Sequence, residues 1–224
     1  KGWDEAEAIK SAAGDKGSKI HAAVVDLIDG KEVRMDSRYL NHSTEKEEEL
    51  TLQEYEALLA FKNWFELTKP KIIKREFVVY NDQYDYAGTV DMLCEINGEV
   101  WLIDLKTGQS IWPEYELQLS AYKHAIPEKI DKVAVLQVGY SYNKNKYKLT
   151  EIEDKFSLFL AARIIWSNET EGQKPSVRDY PISLKLSPKS ETELPITKVA
   201  AKSKSSKLIK DTTSQEKPDV PIKN

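Results

Sequence analysis

Two aspartates and a lysine fall close together in one stretch of this chain, Gly88-Thr89-Val90-Asp91-Met92-Leu93-Cys94-Glu95-Ile96-Asn97-Gly98-Glu99-Val100-Trp101-Leu102-Ile103-Asp104-Leu105-Lys106. Carboxylates gathered at one point are oxygen ligands for hard divalent cations, and an ammonium beside them can orient water or steady negative charge. Asn97-Gly98 between two apolar runs is a strong signal for a two-residue hairpin loop. Ile96 then pairs with Glu99, and counting back along both strands sets Asp91 opposite Asp104, with Cβ atoms ~5 Å apart. Alternation puts Lys106 on the face of Asp104, among Leu93 and Leu102. It sends Val90, Met92, Cys94 and Ile96 to the other face with Trp101, Ile103 and Leu105. Two like charges so placed need something positive between them, and a divalent cation supplies it. The alternative is a hairpin in which Lys106 alone neutralises Asp104 at a solvated edge. An apolar back and a half-apolar front favour strands covered on both sides, where carboxylates need partners or metal.

The elements that must position these groups follow from periodicity and punctuation. Residues 3–13 read as a short helix ended by Gly14, and Lys19 to Leu27 as a second, with His21 in its first turn and Gly30 closing it. Residues 31–50 are polar; the run Glu45-Lys46-Glu47-Glu48-Glu49 reads as a solvated approach to the next helix. Thr51-Leu52-Gln53-Glu54 is a capping box, and the helix it opens runs to Pro70. A strand from Ile72 to Tyr80 carries Glu76 in its middle. Antiparallel pairing across the loop 81–85 brings Glu76 within about one position of facing Asp91. After the hairpin come Trp112-Pro113, a helix from Glu114 to His124, a strand from Val133 to Tyr140, a turn at Asn143 to Asn145, a strand from Tyr147 to Ile152 and a helix from Asp154 to Trp166. That order makes an α/β or α+β plan with one mixed sheet.

With 224 residues, 40% of them hydrophobic, the chain holds one core of ordinary size plus appendages. No apolar run reaches the roughly 20 residues of a membrane span, so no membrane partner is expected. The expected location is cytoplasmic, with a leader ahead of Lys1 left open. The single cysteine, Cys94, excludes an intramolecular disulfide framework, a Cys-rich zinc site and a Cys-ligated cluster, and reads as a small core residue. Residues 183–224 hold nine lysines and five acids, so the net charge of −4 divides into +4 there and −8 in residues 1–182. Beyond Tyr180 the composition of Lys, Ser, Thr and Pro predicts a disordered tail, a linker or a nucleic-acid or partner-binding arm.

Gly17-Ser18-Lys19-Ile20-His21, Gly88-Thr89-Val90-Asp91, Asp104-Leu105-Lys106-Thr107-Gly108 and Gln118-Leu119-Ser120-Ala121-Tyr122 occur in that order. The set resembles the PD-(D/E)XK nuclease superfamily and, within it, the RecB-type exonuclease branch. In that branch G-x-x-x-H on a helix, G-x-x-D on a strand, D-x-K on the next strand and Q-x-x-x-Y on the following helix make up the site. The resemblance spans roughly residues 14 to 140. It implies an α/β (α+β-like), restriction-endonuclease-like core with a central mixed β-sheet flanked by helices and an N-terminal helical segment. Its divisions are residues 1–70 for the helical part, 71–170 for the nuclease core and 171–224 for the tail.

The resemblance implies a metal-dependent DNA nuclease, most of all an exonuclease hydrolysing phosphodiesters at DNA ends or in single strands. Asp91 and Asp104 would hold one or two Mg²⁺ or Mn²⁺ ions, with the Leu105 carbonyl and His21 as further ligands. Imidazole favours manganese. Lys106 would orient or deprotonate the attacking water, Glu76 matches the acid of the first strand, and Gln118 and Tyr122 would support the ligands or touch DNA. Trp112 and Tyr115 flank the site helix, where they either pack or stack on unpaired bases. His42 reads as exposed, and His124 as a cation at a helix C-terminus. The chain has no phosphate-binding Gly-rich loop, so unwinding would fall to a protein partner such as a helicase, recombinase or single-strand-binding protein. A structure-specific endonuclease and a catalytically silent DNA-binding or assembly module of the same fold are the alternatives.

Overall fold

The fold is seen in a computed structural model that describes residues 3–139 and 146–171, all within one compact unit. The expected turn at Asn143 to Asn145 and the expected tail lie outside the described residues. In chain order the elements are α1 (Trp3–Ile28), β1 (Arg38–Asn41), β2 (Lys46–Glu49), α2 (Leu52–Thr68), β3 (Lys71–Asn81), β4 (Tyr86–Ile96), β5 (Glu99–Lys106), α3 (Pro113–Ala125), β6 (Lys132–Val138), β7 (Tyr147–Glu151) and α4 (Phe156–Thr170). No described helix is long and apolar enough to cross a membrane.

Five strands form a mixed sheet in the order β3-β4-β5-β6-β7. Only β5 and β6 run parallel, because the chain returns through α3 between them. The hairpin loop is as its sequence predicts: Ile96 pairs with Glu99, and Asn97 and Gly98 have φ of 53° and 84°, the two positive values a type I′ turn requires.

Each sheet face has its own core. Met92, Cys94, Ile96, Trp101, Ile103 and Leu105 pack under α1 and α2 against Ile20, Phe61 and Trp64. Leu93, Leu102, Val133 and Val135 pack under α3 against Leu119 and Tyr122. The α/β class with helices on both faces is therefore observed. Cys94 is fully buried, and burial pushes its thiol up to about 12, in keeping with a core role.

The N-terminal third departs from its sequence reading in two places. The two expected helices are one, α1, which runs unbroken through Gly14 and Gly17. A glycine inside a helix costs only ~1 kcal/mol relative to alanine, and neither glycine takes the positive φ that would end it; Gly30, at 77°, does. The acidic run is solvated as expected, but its residues Lys46–Glu49 form the strand β2, paired with β1. Its acids are tied down: Glu48 accepts from Asn41 Nδ2 and Thr44 Oγ1, and buried Lys19 lies 2.9 Å from Glu54 and 3.9 Å from Glu48. Glu54 also completes the capping box of α2, accepting from the Thr51 N–H. One lysine thus pins the middle of α1 to the start of α2, next to His21.

Candidate active site

Alternation fails at one point in β4, and that point is Asp91. Val90 packs with Phe77 and Val79 beneath α3, whereas Met92 and Cys94 face α1 and α2. Val90 therefore lies on the face opposite to the one strict alternation predicts. The break is shared with β3, where Glu76 has φ 41°, a left-handed conformation rare outside glycine. The pairs Arg75–Met92 and Phe77–Val90 bracket Glu76 and Asp91, which places these two acids opposite each other. The β4–β5 ladder extends to Met92–Ile103, one position short of Asp91 and Asp104. There the Leu105 N–H donates to Asp91 Oδ2 at 2.7 Å, so a side chain holds the end of β5.

From this break Asp91 and Glu76 reach towards α1 and meet His21. The His21 Nδ1 lies 3.4 Å from Asp91 Oδ1 and 3.7 Å from Glu76 Oε1, and its Nε2 is 3.1 Å from the Leu105 carbonyl. One ligand atom from each of His21, Glu76 and Asp91 falls within 4.8 Å of the others. Asp104 lies outside this triad, buried, with the Lys106 ammonium 2.7 Å from its Oδ2. That contact is an ion pair off the line of a hydrogen bond, which leaves Asp104 Oδ2 buried without a hydrogen-bond donor.

The charges respond to one another. Burial works against an imidazolium at His21, but the carboxylates of Asp91 and Glu76 outweigh it and raise its pKa from 6.5 to about 10. Burial, then the charge of Asp91, pushes Asp104 up to about 6 against the pull of Lys106. Burial also opposes the Lys106 charge, yet Asp104 more than offsets this and holds the ammonium above its ordinary value. The cluster therefore carries three acids facing two cations.

Supporting residues explain two of the sequence motifs. Gln118 Nε2 donates to the Tyr122 hydroxyl at 2.9 Å, one turn along α3. The Tyr122 ring lies on Gly88, where an added Cβ would fall 2.3 Å from a ring carbon. So Gly88 and Tyr122 fit together, and the pair packs Asp91's strand against α3. Lys106 sits 4.8 Å from the centre of the Tyr115 ring, a cation–π contact that holds it in place. Gln137, which sequence reasoning passed over, is buried and donates to the Gly108 carbonyl, fixing the loop after Lys106. Its signal was a lone amide in the apolar run Val133-Ala134-Val135-Leu136-Gln137-Val138. His42 is exposed, and His124 stacks on Phe156 at 4.0 Å with Asp154 beside it, far along the chain from the triad and not among its members.

His21 and Glu76 of the triad line a cleft of ≈ 960 Å³ between α1 and the loop from β5 to α3. Ala13, Gly17, Ser18 and Ala22 line one wall, and Lys106, Thr107, Gly108, Trp112 and Tyr115 the other, with Asp26 and Tyr39 at its margin. Imidazole and carboxylate donors gathered at one point, one ligand atom from each of His21, Glu76 and Asp91, fit a divalent cation. No family model matches the chain, and no curated protein matches it.

Proposed function

We propose that this protein is a divalent-metal-dependent deoxyribonuclease that hydrolyses phosphodiester bonds at DNA ends or in single strands. The observation that carries the reading is the convergence of His21, Glu76 and Asp91 within 4.8 Å, with His21, Glu76 and Lys106 lining one cleft. His21, Glu76 and Asp91 would hold Mg²⁺ or Mn²⁺, with Asp104 and the Leu105 carbonyl beside them. When bound, the cation supplies positive charge where the scissile phosphate carries its negative charge.

The protein's own groups divide the remaining work. Lys106, kept cationic by Asp104, donates to a phosphate oxygen or to the attacking water and orients it for in-line attack. In this charge state it is a donor and not a base. Asp91 fixes the end of β5 through the Leu105 N–H, and so fixes the distance between Lys106 and the triad. His21 joins a ligand set only as neutral imidazole, so it releases its proton on metal binding. Its presence favours manganese over magnesium; a threefold or greater preference for magnesium contradicts that point.

One observation favours a second reading, a silent DNA-binding or assembly module. The His21 imidazolium already neutralises part of the acidic cluster, as a purely structural ion-pair network would. Cleavage of end-labelled single-stranded, blunt duplex and closed circular DNA, with Mn²⁺, Mg²⁺ or chelator, separates the two. The nuclease reading expects loss of linear DNA that chelator and Lys106→Ala both abolish. Cutting of the circle makes the protein an endonuclease, and binding without cleavage under either metal establishes the silent module.

A further inference from the structure

We propose that Trp112 is a stacking platform for one unpaired base, and that the cleft therefore takes a single-stranded DNA end in preference to a duplex. This rests on the nuclease reading above and names the substrate form of the same site. Trp64 and Trp101 are buried in the core, but Trp112 is 55% exposed and lines the cleft beside Lys106. It occupies the N-cap position of α3 without making a side-chain capping bond, so its capping role does not explain it. Pro113 follows at the first helical position and fixes the backbone there, which presents the indole from a rigid support. Tyr115, the other aromatic on this wall, is already occupied by the Lys106 ammonium. The Tyr39 hydroxyl donates to Asp26, so among the described aromatics lining the cleft Trp112 is the ring left to meet a ligand.

The opposite wall supplies the room. Gly17 lies inside α1, where glycine lowers helix stability relative to alanine. No packing requires it there: an added Cβ would meet nothing within 4 Å, and its φ is not positive. Gly108, across the cleft, is likewise unforced by packing or by φ. Two glycines that the fold does not need thus line the space in which a strand would lie. The charge pattern agrees. Among the described residues lining the cleft, Lys106 is the one lysine or arginine. Duplex binding draws on many phosphate contacts, whereas a strand held by base stacking on an aromatic needs few.

The test compares wild type, Trp112→Ala, Trp112→Phe and Gly17→Leu on an end-labelled single-stranded oligonucleotide and on the same sequence as blunt duplex, with Mn²⁺. Wild type is expected to favour the single strand by tenfold or more in kcat/KM. Trp112→Ala should raise KM for the single strand about tenfold, the size of one lost stacking contact, with kcat within about twofold. Trp112→Phe should recover most of that loss. Gly17→Leu should melt no lower than wild type and yet lose single-strand affinity. An unchanged KM in Trp112→Ala, or equal wild-type kcat/KM on both substrates, overturns the proposal and leaves the nuclease reading standing. If wild type cleaves nothing, the nuclease reading fails, and tryptophan fluorescence titrated with the oligonucleotide in Ca²⁺ decides the stacking claim. Quenching present in wild type and absent in Trp112→Phe supports it; equal quenching, or none, overturns it.

Discussion

His21 stands between two carboxylates that would otherwise repel each other, and as an imidazolium it neutralises part of their charge. Its folded pKa of about 10 lies above the ordinary 6.5, so the stability it contributes is complete below pH 6.5 and is lost as pH rises through about 10. The denaturation midpoint of chelator-treated protein should fall across that window, and His21→Ala should flatten the fall; an unchanged slope in the variant would count against the ion pairs. Asp104 shifts in the same direction, but there it is the neutral form that is favoured. Its folded value of about 6 exceeds the usual 3.8, so the favourable form is the neutral one, complete below 3.8 and lost as pH rises through about 6. The stability of chelator-treated protein should therefore fall as pH rises from about 4 to about 7, and Asp104→Asn should flatten that fall while removing cleavage. An unchanged pH slope in the variant would contradict this. Asp91, Asp104 and Lys106 were legible because a hairpin turn fixes register by counting. Glu76 was placed only to within about one position, by pairing across the loop 81–85. What counting could not show is that Glu76 joins His21 and Asp91 while Asp104 pairs with Lys106, since that depends on a backbone break that strict alternation does not contain.

The elements show which local rules hold and which yield to packing. The capping box of α2 and the Asn97-Gly98 turn are hydrogen-bond and φ requirements met within a few residues, so sequence alone gives them. The length of α1 is not local: Ile20, Ala23 and Val24 buried against the sheet outweigh two glycine penalties. The strand β2 was hidden for a similar reason, because its acids find their partners in Lys19 and Asn41, outside the run itself. The fit between β4 and α3 is a tertiary requirement that leaves a sequence trace, the glycine three residues before Asp91. Gly88→Ala should destabilise the fold by about 1–3 kcal/mol, the usual cost of forcing atoms into a filled space. Replacing Tyr122 by alanine in the same background should recover part of that loss, so that a double-mutant cycle shows coupling. Independent, additive effects would mean that the ring moves aside freely.

For the whole molecule, sheet order and the parallel crossover follow from the sequence of elements, because α3 alone lies between β5 and β6. The sheet carries Asp91 and Asp104, α1 brings His21, and β3 brings Glu76, so that four chain segments meet at one end of the cleft. Such a meeting costs electrostatic repulsion that a purely structural core would not need. The central claim is that this repulsion is relieved by a divalent cation. Calorimetric titration of Mn²⁺ into wild type and Asp91→Asn, in two buffers of different ionisation enthalpy near pH 7.5, tests it most directly. The account predicts saturable binding to wild type with release of close to one proton, from His21, and loss of that binding in Asp91→Asn. No binding heat in wild type, or binding that the substitution leaves unchanged, would show that His21 and the acids form a structural ion-pair network and not a metal centre.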